Sequence, residues 1–244
     1  MKLPWLNAAV LAGAALCSHA GAATLSEDFD GGLPAGWTVV NNSAPAGLTS
    51  WFQGDQSVFA AEQGGADSYV AANFNSGAGA ANLSTWLILP TQTFHNGDVL
   101  SFSTRTSDFS FFPDRLEVRF SALGGTNVGS GAASVGNYST LLLSINPAQQ
   151  LFGYPDVWTR YSVTLGGLAG ATDGALAFRY VVDNGGPGGQ NSNYIGIDSV
   201  RVSPVPEPDG YLMLGAGLAL VALVGVARRR TAAPSTARPA SSMA

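Results

Sequence analysis

Between Leu83 and Val202 the chain repeatedly alternates apolar and polar residues with a period of two. Leu116, Val118 and Phe120 alternate with Arg115, Glu117 and Arg119. This predicts a strand with the first set facing a core and the second facing outward. Leu100, Phe102 and Thr104 predict a second such strand, Tyr161, Val163 and Leu165 a third, and Leu176, Phe178, Tyr180 and Val182 a fourth. Two runs are apolar throughout, Trp86–Leu89 and Leu141–Ile145, which predicts strands buried on both faces. Ile195 and Ile197 share one parity and Val200 and Val202 the other, so a β-bulge is expected at Asp198–Ser199.

Turn chemistry separates these runs. Asn96-Gly97-Asp98 and Asp173-Gly174 carry hairpin signals, while Gly124–Asn127 and Asp183–Gly189 read as longer loops. A helical period is absent from this stretch. Many strands with glycine-rich turns and no helices between them predict an all-β domain, a jelly-roll β-sandwich. An immunoglobulin-like sandwich is the alternative, disfavoured because the span is long for that fold.

The two ends break the pattern. Residues 1–23 carry Lys2, an apolar run from Trp5 to Leu16, and small residues at Ala20-Gly21-Ala22. That is the layout of a secretory signal peptide, with signal peptidase as partner and cleavage after Ala22 or Ala23. Residues 24–203 then form the exported domain. In the segment 204–230, the 18 positions from Gly210 to Ala227 hold no charge. As a helix at about 1.5 Å per residue they would reach roughly 27 Å, enough for a bilayer core. Arg228, Arg229 and Arg230 follow, and by the positive-inside rule they stay cytoplasmic and leave the domain outside. Residues 231–244 read as a disordered cytoplasmic tail.

Val205, Pro206, Glu207 and Pro208, followed by that apolar helix and the arginine cluster, resemble the PEP-CTERM sorting signal of Gram-negative bacteria. The resemblance implies an exosortase as partner and a precursor held in the inner membrane. It also implies a final location at the cell surface or in the extracellular matrix of species that make exopolysaccharide. The same tail occurs on some ice-binding proteins, but ice binding needs a flat, regular array of small polar side chains. Thr91-Gln92-Thr93 and Thr104-Arg105-Thr106 are isolated pairs and form none.

Charge narrows the partners. From Thr24 to Pro204 there are 14 acidic side chains against 6 arginines and no lysine, a surface that repels phosphate backbones and argues against nucleic acid. Cys17, the one cysteine, lies in the signal peptide, so the exported domain has neither disulfide nor thiolate chemistry.

Five motifs in order, Glu27–Trp37, Trp51-Phe52, Asn82–Leu87, Phe112–Leu116 and Tyr194–Val200, are similar to the choice-of-anchor J domain. That domain is a relative of the cleaved-adhesin and MAM-like jelly rolls. The resemblance implies adhesion and surface display, and it brings no catalytic residues.

Two candidate sites stand beside plainer readings. Glu27, Asp28 and Asp30 near the first strand and Asp198 on the last could converge on structural calcium, which takes six to eight oxygen ligands. The competing reading is ordinary turn chemistry. Phe109, Phe111 and Phe112 lie in a loop-like stretch, where exposed rings can stack on sugars. The competing reading is that they close one end of the core, where Trp37, Trp51, Trp86 and Trp158 are also expected. Catalysis finds little support. His95 sits at a turn, and Asp114 and Glu117 beside Arg115 and Arg119 read as surface ion pairs. The expectation is a structural or adhesive exported protein. Carbohydrate binding to exopolysaccharide or other surface glycans is the alternative, and a glycan hydrolase ranks below both.

Overall fold

The computed structural model describes residues 25–204 and, beyond them, only the helical positions Gly215 and Leu218. The signal peptide, the motif Val205–Pro208, the apolar helix as a whole and Arg228–Arg230 lie outside the described residues. Among the described residues no helix is long and apolar enough to cross a membrane.

Residues 25–204 form thirteen strands. They are β1 (Leu25–Glu27), β2 (Thr38–Asn41), β3 (Ala44–Ala46), β4 (Phe52–Gln53), β5 (Val70–Asn73), β6 (Gly77–Ile88), β7 (Gln92–Phe94), β8 (Val99–Thr106), β9 (Leu116–Ser121), β10 (Thr140–Ile145), β11 (Thr159–Thr164), β12 (Thr172–Gly185) and β13 (Tyr194–Ser203). One 3₁₀ turn, Phe74–Ser76, leads into β6. The first sheet runs β11-β8-β13-β5-β4, with β1 also paired to β13. The second runs β10-β9-β12-β6-β2, with β3 paired to β6 and β7 to β12. Every pairing is antiparallel. From β7 onward every connection except the β9–β10 hairpin passes from one sheet to the other, as a jelly-roll sandwich requires.

The alternation places the core between the sheets. Leu100, Phe102, Ile195 and Ile197 of the first sheet meet Leu87, Leu116, Val118 and Phe178 of the second. Phe102 and Phe178 make an edge-to-face contact across the interface at 4.8 Å. Burying each such side chain contributes about 1.5–3 kcal/mol. Trp86 and Ile88 face the other way, into a second apolar cluster on the outer side of that sheet. This is why the run Trp86–Leu89 lacks a polar face. A third cluster on the outer side of the first sheet joins Phe59, Tyr69 and Tyr194, with Trp158 half-buried over them. Trp37 and Trp51 are buried in the main core.

The bulge falls where the parity shift puts it. The β13–β8 register slips between Asp198 and Arg201, with Ser199 at φ 54°. Other details differ from the sequence expectation. Leu141–Ile145 is an edge strand, β10, with Leu141 exposed, because β9 lies on only one side of it. Asn96-Gly97-Asp98 does turn, but it joins β7 of the second sheet to β8 of the first and makes no hairpin. Asp173-Gly174 lies inside β12. A side chain at Gly174 would meet the Phe120 ring at 2.6 Å, so this glycine serves packing, not a turn.

Asp114 and Glu117 are buried, not surface ion pairs. Glu117 does face outward from β9, but the segment 122–139 crosses over that face. Beneath it Glu117 accepts from Arg119 Nε at 2.7 Å and Arg179 Nη1 at 3.1 Å. Burial opposes its ionisation, but the two arginines outweigh that and hold the carboxyl below its usual range.

Candidate functional site

An accessible concavity lies at one end of the sandwich. Two crossover segments build it, Ser107–Arg115 from β8 to β9 and Asn146–Trp158 from β10 to β11. Between them opens a cleft of about 280 Å³.

The loops are held firmly. Asn146 Nδ2 donates to the carbonyls of Asp114 and Gln150, both at 2.9 Å, and its Oδ1 accepts from Gln150 N at 2.8 Å. A Cβ at Gly153 would meet that Oδ1 at 2.5 Å, so only glycine fits beneath Asn146. Asn193 Nδ2 donates to Ser107 Oγ at 2.8 Å and Ser110 Oγ at 2.9 Å, tying the first loop to the start of β13.

Asp114 forms the floor and joins the two sheets. Its Oδ1 accepts from Tyr180 Oη of β12 at 2.5 Å and from Asn193 N at 2.7 Å. Its Oδ2 lies 2.7 Å from Thr106 Oγ1 of β8. Thr106 Oγ1 also lies 2.9 Å from the Tyr194 carbonyl. One hydroxyl hydrogen cannot fully satisfy both acceptors. Burial pushes the Asp114 carboxyl above its usual range. A proton on Oδ2 would donate to Thr106 Oγ1 and leave the threonine hydrogen for Tyr194. Burial likewise raises Tyr154 and Tyr180.

Two exposed rings, Phe112 and Phe152, line the cleft beside this polar floor, and Phe111 packs on Phe152. Phe109, Phe111 and Phe112 are 80%, 68% and 48% exposed, and Phe152 from the facing loop is 63% exposed. The three sequence candidates therefore do not close the core; they stand in solvent. Phe111 and Phe152 meet edge to face across the two loops at 5.7 Å. Phe109 and Phe152 have φ of 54° and 58°. A left-handed backbone costs a non-glycine residue about 1–2 kcal/mol.

Phe152 escaped the sequence reading, although Leu151-Phe152 between the turn residues Asn146-Pro147 and Tyr154-Pro155 is the signal that could have found it. Nothing local in the sequence marks Asp114 as a floor, because its partners come from β8, β12 and the residue before β13.

The acidic candidates lie elsewhere. β1 pairs with β13 so that Glu27 stands opposite Val200, two residues from Asp198. Asp198 Oδ2 accepts from Glu62 N at 2.8 Å and Gln63 N at 3.1 Å, and Oδ1 accepts from Ser199 N at 2.5 Å. Burial pushes its carboxyl up to about 6. Asp30 Oδ1 accepts from Ser68 Oγ at 2.5 Å and Gly65 N at 3.2 Å, which lowers its carboxyl. Glu27 Oε1 accepts from Phe29 N at 2.8 Å, and Asp28 is exposed. Asp30 and Asp198 thus grip one loop, Glu62–Ser68. Among the described residues no three acidic, histidine or cysteine side chains gather closely enough to hold an ion by themselves. His95 is a half-exposed turn residue.

No family model matches the chain, and no curated protein matches it. Solved structures do. The K1 cleaved adhesin domain of Lys-gingipain from Porphyromonas gingivalis W83 is 23% identical, with 75% of this chain and 98% of that domain covered at a TM-score of 0.52. The K3 cleaved adhesin domain of the same protein is 20% identical, with the same coverage and a TM-score of 0.51. A family 11 carbohydrate-binding module from Clostridium thermocellum is 15% identical over 74% of this chain and 95% of the module, at a TM-score of 0.42. The adhesin domains share the all-β sandwich fold.

Proposed function

We propose that this is an exported, non-catalytic adhesive domain of the cell surface or matrix, and that it adheres by binding carbohydrate in the end cleft. The observation that carries this reading is a cleft lined by the exposed rings of Phe112 and Phe152, with Phe111 packed edge to face on Phe152, beside a hydrogen-bonding floor. Ring faces stack on the C–H faces of sugars, while Ser110, Gln150 and Asp156 offer partners for hydroxyls. The loops are braced before any ligand arrives, so little ordering opposes binding. At about 280 Å³ the cleft is near the lower end of ligand sites, which suits one or two sugar rings at a chain end. The cleaved-adhesin fold is compatible with this role.

The test is retention on a glycan array and on the host exopolysaccharide, comparing the wild type with Phe111→Ser/Phe152→Ser. Binding by the wild type and its loss in the folded variant support the reading. No retention by the wild type sinks it.

Sorting belongs to the same proposal and is supported by the terminal sequences. Signal peptidase removes residues 1–23, and an exosortase acts near Val205–Pro208 after the helix and Arg228–Arg230 have fixed the topology. Cell fractionation with intact-mass measurement checks it. A mature protein that stays in the inner membrane with the arginines attached would show the processing idea to be wrong. Structural calcium drawing on Glu27, Asp28, Asp30 and Asp198 beside the loop 62–68 is the remaining part, with no three of these carboxylates at one place among the described residues. It is supported by the convergence of Asp30 and Asp198 on that loop. A melting curve that does not move between EDTA and excess calcium removes it.

A further inference from the structure

Resting on the reading of the cleft as a carbohydrate site, we infer that the cleft selects by charge: it accepts neutral and amino sugars and rejects uronic acids. Among the described residues, its lining holds two carboxyl groups, Asp114 and Asp156, and no lysine, arginine or histidine. Asp114 is buried and already committed to Thr106, Tyr180 and Asn193. Asp156 is exposed, so its carboxylate is the charge that a bound ligand meets.

The adjoining arginine, Arg105, does not offset it. Its guanidinium lies over the Phe59 ring at 4.6 Å, on the outer side of the first sheet. Its Nε donates to the Thr106 carbonyl at 3.1 Å, and its Nη2 is engaged by the Asp108 carboxylate and the Asp156 carbonyl. Arg115, which follows Asp114, donates to the Val181 carbonyl at 3.0 Å and reaches Asp183 at 3.4 Å. Neither cation is turned to the cleft. A uronate carboxylate pressed against Phe112 and Phe152 would lose water, gain no cation and face Asp156. An ammonium at the same place gains the opposite sign of the same interaction. A sugar with neither charge keeps only the stacking and hydroxyl contacts.

The whole domain is acidic, so selectivity has to be traced to the cleft and not to its remote field. Asp173 supplies the control. It lies at the start of β12, away from the cleft, where it accepts from Thr93 Oγ1 at 2.6 Å.

The experiment immobilises the purified full chain and measures affinity for three sets of oligosaccharides: neutral hexose oligomers, glucosamine oligomers and galacturonate oligomers. At low salt the glucosamine set should bind several-fold tighter than the neutral set, and the galacturonate set about tenfold weaker. Asp156→Asn should bring the glucosamine and galacturonate affinities to within about twofold of the neutral affinity of the same variant, and Asp173→Asn should leave the spread between the three sets unchanged. High salt should narrow the spread. Galacturonate binding as tight as neutral binding, and abolished by Phe111→Ser/Phe152→Ser, overturns the charge inference while the carbohydrate reading stands. An amino preference that survives Asp156→Asn also overturns it. Failure of all three sets, or binding indifferent to the Phe111→Ser/Phe152→Ser change, overturns the carbohydrate reading and this inference together.

Discussion

Replacing Arg179 with methionine tests how the outer face of the second sheet is kept covered. Arg179 is buried on β12 and sits over the Trp86 ring with its guanidinium carbon 4.9 Å from the centroid. Its three nitrogens are all used. Nε donates to Ser84 Oγ at 3.0 Å, Nη1 to Glu117 at 3.1 Å, and Nη2 to the carbonyl of Ala132 in the segment 122–139. That segment is rich in glycine and serine and contributes only Val128, Val135 and Tyr138 to the apolar cluster beneath it. Methionine restores most of the apolar volume but leaves Glu117 buried with Arg119 alone. Breaking a buried pair costs about 3–5 kcal/mol, and the surviving Arg119 bond places the expected loss near the lower figure. At about 2–4 °C per kcal/mol for a domain of this size, the melting temperature should fall by roughly 6–12 °C.

Urea unfolding followed by tryptophan fluorescence measures the loss. Limited proteolysis should show new cleavage between 122 and 139. The variant Glu117→Gln/Arg119→Met/Arg179→Met should recover part of the loss, because no member of the charged trio is then buried without its partner. The pH dependence gives a second check. Glu117 has a lowered folded pKa, so its stabilisation is complete above its ordinary value of about 4.3 and is lost as pH falls through the folded value. In Arg179→Met that acid limb becomes shallower. A loss below about 1 kcal/mol, with the segment still resistant to protease, would refute the reasoning, since that is the scale of an exposed ion pair.

Asp114→Asn should keep its stability at neutral pH within about 1 kcal/mol of wild type, because the amide can donate to Thr106 Oγ1 as a protonated carboxyl would. In the wild type the raised carboxyl stabilises fully below about 3.9 and progressively less as pH rises through its folded value, so the variant should show a flatter stability profile from pH 4 to 7. A loss above about 3 kcal/mol would mean that the ionised carboxylate is the stabilising form. Phe111→Ser and Phe152→Ser should each cost at most about 1.5 kcal/mol, from roughly a third of a ring's surface, whereas Phe178→Ala should cost about 3–5 kcal/mol; equal losses would make these two rings structural. Gly153→Ala should cost about 1–3 kcal/mol and weaken glycan binding by displacing Asn146, which urea unfolding and array retention measure together.

How much of this was legible beforehand depended on the range of the interaction. The parity shift at Asp198–Ser199 located a bulge because side-chain period is a local property of a strand. The apolar run Trp86–Leu89 announced a strand buried on both faces for the same reason. Leu141–Ile145 carried the same signal and became an edge, since composition does not say how many neighbours a strand acquires. Glu117 had the pattern of a solvated residue, and its direction was right. Its burial came from a loop that folds back over the sheet. Phe109, Phe111 and Phe112 stood out as a cluster, yet their exposure was decided by the two crossover loops that lift them clear of the core.

The sequence by itself determined the all-β class and the strand faces, because each depends on neighbours a few residues apart. Only the tertiary structure decided that two loops face each other across a cleft, that Phe152 joins the phenylalanines of the other loop, and that Asp114 lies beneath them between two sheets. Those contacts join residues 66 and 79 positions apart from Asp114, at Tyr180 and Asn193. No local period encodes such distances; the sheet-to-sheet crossings of the sandwich bring them together.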